Sequence, residues 1–197
     1  NSEIVNNNIK RVFFICLVVF VAQCLFFMPF IQMSFIFKRF ESTGTQMALA
    51  MNVFLVTAAI GSAMYARVRA KFHFNYIYGF VFLGMGIFCV MLGLALHYYV
   101  AIFSMFLGGF FFGWLAPNSN LWIMQSVSID RRGRYLGVLV SSWFTAVFMS
   151  PIVFSLLKRL TGDVHDTVTL VGFISLSLGM IFIVYALSKT AKHLKHQ

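Results

Sequence analysis

The residues able to do chemistry in this chain are few, and they sit outside its apolar runs. The five acids are Glu3, Glu41, Asp130, Asp163 and Asp166, all in loop-like stretches or near the amino end. The five histidines, His73, His97, His165, His193 and His196, fall at loops and in the tail. None stands at metal-ligand spacing from a second ligand, and none pairs with a Ser or Cys nucleophile. Cys16, Cys24 and Cys89 lie inside apolar runs with no Cys-x-x-Cys pair, as small packing residues do. A charge at the middle of a membrane helix costs about 2.5–3.5 kcal/mol, so one that is present marks an ion or proton path. No Lys, Arg, His, Asp or Glu holds such a position here. The chain therefore shows no proton relay, no carboxylate dyad and no buried cation for an anionic substrate. No enzyme activity, metal or cofactor is expected.

What remains is neutral, and membrane helices must position it. Sixty per cent of the 197 residues are apolar and ten per cent are charged, more apolar surface than a water-soluble domain of that length needs. Six apolar runs meet the roughly 20 residues of a bilayer crossing. They cover residues 12–37, 46–66, 75–96, 99–125, 135–157 and 167–187. The loops between them are short, so consecutive helices are antiparallel. Eleven of the 15 Lys and Arg residues fall on the side that holds both chain ends. Lys38, Arg39, Lys158 and Arg159 fall on the other. Positive residues stay inside, so both ends are expected to be cytoplasmic. The net charge of +10 is thus a matter of topology, and no basic face survives outside the loops for nucleic acid. Tyr76, Tyr78 and Tyr135 are expected in a headgroup belt at the cytoplasmic ends, with Tyr98 and Tyr99 at an external turn.

Small residues mark the helix contacts. The fifth run carries Gly137, Ser141, Ser142, Thr145, Ala146 and Ser150 at four-residue steps, then Pro151. Such steps let backbones approach in lipid, which predicts a helix buried among others. Gly79, Gly86 and Gly93 repeat every seven residues in the third run, and Gly172, Ser175 and Gly179 form a comparable seam in the sixth. Both read as peripheral structural helices. In the first run, Gln23, Phe27, Phe30 and Ser34 form one stripe, and Pro29 bends the outer half. In the fourth, Gly109 and Gly113 precede Trp114 and the sequence Pro117-Asn118-Ser119-Asn120, which predicts a bend facing a wet space.

This pattern resembles one half of a major facilitator superfamily transporter, from Ile9 to Lys189. Two stretches carry the resemblance. One is Asp130-Arg131-Arg132-Gly133-Arg134-Tyr135-Leu136-Gly137, followed by Phe148-Met149-Ser150-Pro151. The other is Gly61-Ser62-Ala63-Met64-Tyr65-Ala66-Arg67-Val68-Arg69, similar to a worn G-x-x-x-D-R-x-G-R loop. There Tyr65 stands in place of the acid and Val68 in place of the second glycine. The resemblance implies an all-α polytopic membrane bundle of six transmembrane helices in two inverted three-helix repeats. The missing acid points to the carboxy-terminal half, whose partner is the missing amino-terminal six-helix half. Residues 1–11 would end a cytoplasmic linker, 12–187 form the six-helix transmembrane domain, and 188–197 form a cytoplasmic tail.

On that footing helices one, two, four and five face a cavity. The candidate substrate contacts are Gln23, Phe27, Phe30, Asn52, Thr57, Trp114, Asn118, Ser142, Trp143 and Thr145. An aromatic pocket with a few neutral hydrogen-bonding groups suits a lipophilic or amphipathic small molecule. Arg67, Arg69, Arg131 and Arg134 lie on the same side as Asp130, which either joins them in a cytoplasmic gate or caps the fifth helix. The expected role is proton-coupled, drug:proton antiporter-like efflux through the lipid bilayer of a bacterial inner (plasma) membrane. An uptake carrier for a neutral nutrient and a non-transporting scaffold are the alternatives.

Overall fold

A computed structural model describes the backbone of residues 2–194 and the side chains of residues 9–188. The described elements are helical: α1 Ser2–Ile31, α2 Met33–Lys38, α3 Gly44–Lys71, α4 Phe74–Gly93, α5 Tyr98–Phe112, α6 Leu115–Ser126, a 3-10 turn Ile129–Arg131, α7 Arg132–Thr161 and α8 Val164–Leu194. They supply six spans long and apolar enough to cross a membrane: Ile9–Ile31, Gly44–Lys71, Phe74–Gly93, Tyr98–Ser126, Ile129–Thr161 and Val164–Ser188. Helix continues through parts of the stretches expected as linker and tail. The side chains of residues 1–8 and of the tail lysines lie outside the described residues.

Two runs that read as continuous are broken. Pro29 lacks the N–H that Leu25 would bond, yet α1 runs on through it to Ile31, and the break falls at Gln32 before α2 resumes. Pro117 likewise leaves the Gly113 carbonyl without its helical donor. The chain turns there: the Trp114 N–H bonds back to Phe111, a tighter step than the α-helix makes. The bend therefore lies at Gly113 and Trp114, ahead of the proline. On the side away from the chain ends, Thr43 and Gln46 form a capping box that starts α3. The Tyr98 hydroxyl donates to the Gln46 carbonyl at 2.9 Å and ties that turn to α5.

The spans pack in three pairs. Span one lies parallel to span five: Ser142 Oγ donates to the Cys16 carbonyl and Ser150 Oγ to the Cys24 carbonyl, both at 2.9 Å. Two turns along one helix match two turns along the other. Span two lies parallel to span four, where Gly109 admits Phe54 and Thr57, and Gly113 admits Ala58 and Ser62. Spans three and six run antiparallel. Gly79 meets Ile183, Gly86 meets Leu176, and Gly93 meets Thr169, seven residues forward on one helix for seven back on the other. Exchanging spans one, two and three with four, five and six turns the first pair into the second and leaves the third unchanged. That is the contact pattern of two inverted three-helix repeats.

Three expectations are corrected by this packing. The third span is the most enclosed of the six, 67% of it buried, because its glycines accept neighbours on several sides: Gly84 receives Phe111 of α5 while Gly86 receives α8. The fifth span is the least enclosed, 17% buried. Its small residues divide into two stripes: Ala146 and Ser150 are buried and Ser142 half-buried against α1, while Gly137, Ser141 and Thr145 are exposed. Tyr78 is not a headgroup tyrosine. It is fully buried, and its hydroxyl shares a hydrogen bond of 2.8 Å with Ser119.

Candidate functional site

Phe26, Phe27, Phe30 and Ile31 share one broad face of α1, since Phe26 and Phe30, Phe27 and Phe30, and Phe27 and Ile31 are three or four positions apart. Met51, Phe54 and Leu55 do the same on α3. With Phe112 at the end of α5 they enclose a cavity of about 380 Å³. Phe26 is its hub. The ring stacks on Phe112 at 4.0 Å between centroids and lies 4.9 Å from Phe30 and 5.0 Å from Phe54. Phe88 of α4 sits 6.2 Å from the same ring. Phe26, Phe54 and Phe88 are buried, Phe27 and Phe30 half-buried, and Ile31, Met51 and Leu55 exposed. The site thus has a closed aromatic floor and an open apolar mouth. Tilted and edge-on ring pairs of this kind each contribute about 0.5–1.5 kcal/mol beyond the area they bury, which holds the floor in one arrangement.

One turn from Phe26 and Phe27, towards the chain ends, stands Gln23. It is fully buried, and neither its amide oxygen nor its amide nitrogen has a hydrogen-bond partner. An unpaired buried amide costs roughly 1–3 kcal/mol. Within a membrane bundle, bulk water does not relieve that cost. Trp143 of α7 extends the aromatic lining, edge-on to Phe112 at 6.1 Å. Gln23, Phe27, Phe30 and Trp143 are therefore brought to one region.

The other expected contacts are placed elsewhere. Thr57 donates to the carbonyls of Val53 and Phe54 in its own helix and fills the space left by Gly109. Trp114 is buried with an unpartnered indole N–H, but it packs edge-on against Phe110 and Phe111, each at 5.2 Å. Both rings belong to its own span, and none of the pocket's lining residues is among them. Asn118 is fully buried in a hydrogen-bond cluster, accepting from the Tyr65 hydroxyl at 3.2 Å and donating to the Phe74 carbonyl at 3.3 Å. The polar sequence after Pro117 thus ties spans two, three and four together, where a wet space was expected. Tyr65, the residue standing in place of an acid, makes a neutral hydrogen bond there. Ser142 is engaged with Cys16. Asn52 and Thr145 are exposed on the open faces of α3 and α7, with Thr145 bonded to Ser141 of its own helix.

The arginine-rich side has its own geometry. Arg69 lies over the Phe74 ring, 4.0 Å from its centroid, and donates to the Phe72 carbonyl at 3.1 Å. Arg67, Asp130, Arg131 and Arg134 are exposed. Among the described residues Asp130 pairs with neither Arg67 nor Arg69, and α7 starts behind Arg131 with no side-chain cap. In this arrangement Asp130 does not cap α7, and it stands exposed beside Arg131.

Sequence reading missed Phe26, Ile31, Met51, Phe54, Leu55 and Phe112. The signal for them was present: each helix repeats aromatic or bulky residues at one, three or four positions. Phenylalanine is so frequent here, at 25 copies, that the repeat does not separate a pocket from ordinary core.

The sequence pattern described as Major Facilitator Superfamily matches residues 13–197. No protein of curated function matches the chain.

Proposed function

The chain belongs to the major facilitator superfamily and is an integral membrane transporter protein, and we propose that it moves small hydrophobic or amphipathic molecules through the pocket centred on Phe26. The observation that carries this reading is the cavity of about 380 Å³ walled by five phenylalanines, with one unsatisfied neutral amide, Gln23, a turn away. Aromatic walls reward burial of apolar surface. The amide rewards one hydrogen bond from or to the substrate, which relieves its own unpaired cost. A sugar offers several polar groups and would leave most of them without partners in this lining.

On this reading the chain is one half of an alternating-access carrier. The exposed faces of α3 and α7 support it: Asn52, Ser62, Ser141 and Thr145 are polar, exposed and within spans. Acyl chains satisfy no polar side chain, whereas a second six-helix half across a hydrated cleft does. Arg131, Arg134 and Asp130 then meet that half at the cytoplasmic gate. The coupling acid for a proton belongs to that half as well, since the acids within these spans, Asp130 and Asp166, stand at their first turns and none lies near a span's middle. Efflux is the proposed direction.

The test is transport by the full-length protein in vesicles, using a lipophilic fluorescent amine as probe. Gln23→Ala and Phe30→Ala are each expected to cut uptake into inverted vesicles at least about tenfold, the equivalent of 1.4 kcal/mol. Unchanged transport in both variants rejects the pocket. Probe movement in the opposite direction rejects efflux and leaves the pocket to be judged by the variants.

A further inference from the structure

At the end of the bundle that holds both chain termini, two cavities adjoin, of about 600 and 280 Å³. They share Arg11, Asn75 and Trp122. The larger is apolar, with Phe14, Ile181, Phe182 and Tyr185 on its walls and Lys10 beside Arg11. The smaller is polar and adds Arg69, His73 and Gln125. One stack of side chains joins them. The Arg69 guanidinium lies on Phe74, Phe74 stacks on Trp122 at 5.1 Å and 2°, and Trp122 meets Phe14 edge-on at 6.2 Å. Phe14 meets Phe182 at the same distance.

We propose that this double cavity binds one anionic phospholipid, its phosphate between Arg11 and Arg69 and an acyl chain along Phe14 and Phe182. Three features fit a lipid. The lining carries Lys10, Arg11 and Arg69 and no acid. Basic pockets between membrane helices on the positive-inside face hold anionic headgroups. The charged compartment opens directly into an apolar one, which a soluble phosphate leaves empty and an acyl chain fills. Asn75 is also 5% exposed, with its amide oxygen unpartnered, and Arg69 Nε is buried without a partner. An unused acceptor beside unused cationic donors matches a headgroup that holds both a phosphate and a hydroxyl, as phosphatidylglycerol does. The tail, with Lys189, Lys192 and Lys195, has the wrong charge to occupy the site.

The experiment is native mass spectrometry of the purified full-length protein, titrated separately with dioleoylphosphatidylglycerol, dioleoylphosphatidylcholine and glycerol 3-phosphate. One saturable phosphatidylglycerol is expected, bound at least about tenfold more tightly than phosphatidylcholine. Removing a cation near the surface costs about fivefold, so Arg11→Gln with Arg69→Gln is expected to weaken it roughly 25-fold. Arg69→Lys keeps the charge and is expected to bind within about threefold of the wild type, which separates lost charge from lost folding. Equal binding of the two lipids overturns the proposal, as does full affinity in the double variant. Glycerol 3-phosphate binding as tightly as the lipid assigns the polar compartment to a soluble phosphate and overturns it too.

Discussion

Spans three and six use small residues in one way, and span five uses them in another. Along the three–six contact a β-carbon added at Gly86 would stand 2.6 Å from the Leu176 side chain and 2.8 Å from its backbone nitrogen. Along the outward stripe of span five, a β-carbon at Gly137 would meet nothing within 4 Å. Both stripes are written with glycine and serine at helical steps. One is closed by a neighbour within the chain, and the other is left open with polar side chains beside it. Small residues therefore mark where a surface must slide or approach closely, but they do not say whether its neighbour belongs to the same six helices.

The largest effect should come from filling the closed seam. Gly86→Leu has backbone as well as side chain in its way, and overpacking there should cost about 3 kcal/mol or more. Loss of folded protein on size exclusion after solubilisation checks it. Gly137→Leu should leave folding intact and impair transport instead. Equal loss of folded protein in the two variants would erase the distinction between the stripes.

Next comes the pocket between those regions. Gln23→Leu replaces an unpaired amide with an apolar side chain of similar size. It should raise stability by about 1–3 kcal/mol while lowering transport. Thermal unfolding in detergent measures the first and vesicle transport the second. A fall in stability would show that the amide is satisfied in the assembled protein, against the proposed role.

Smaller effects follow at the one–five contact. Ser150→Ala removes an interhelical hydrogen bond that in membranes averages about 0.6 kcal/mol. Ser142→Ala should cost a similar amount, and the two should add, because they lie two turns apart. A combined loss well above 2 kcal/mol would mean that this contact is as tightly closed as the three–six seam.

The smallest effect belongs to the turn joining span five to span six. Asp163 accepts from the His165 N–H at 2.7 Å at the start of α8. Burial works against its charge, yet the backbone N–H groups of His165, Val164 and Asp166 prevail and hold the carboxyl below its usual range. A lowered folded-state value stabilises at pH above the ordinary carboxylate value of about 4 and is lost as pH falls through the folded value. Solvent screens this exposed group, so Asp163→Asn should remove only a few tenths of a kcal/mol near neutral pH and nothing at strongly acidic pH. Unfolding midpoints of the two proteins at pH 7 and pH 3 give the comparison.

Much of the fold was legible because lipid imposes simple rules on sequence. Span number follows from apolar length, and the Gly79, Gly86 and Gly93 repeat signals a partner helix whose own seam, Gly172 and Gly179, is equally visible. What the repeat does not encode is how many neighbours a helix has, so span three read as peripheral although Gly84 admits Phe111 on a second side. The pocket was half legible. Gln23, Phe27 and Phe30 follow from one helical stripe, but Phe54 and Phe112 come from other helices, and their meeting with Phe26 depends on packing. Asn118 misled for a related reason. A polar residue after a membrane proline looks like a cavity group until its partners, Tyr65 and the Phe74 carbonyl, are seen on two other spans.

The most direct test labels single cysteines with a membrane-impermeant maleimide in the full-length protein, at Asn52 and Thr145 on the open faces and at Phe173 on the outer side of span six. On the proposed reading, in which those faces border a hydrated cleft between two halves, Asn52→Cys and Thr145→Cys should react and Phe173→Cys should not. The contrary result is protection at Asn52 and Thr145 to the same degree as at Phe173, which would place the open faces against acyl chains.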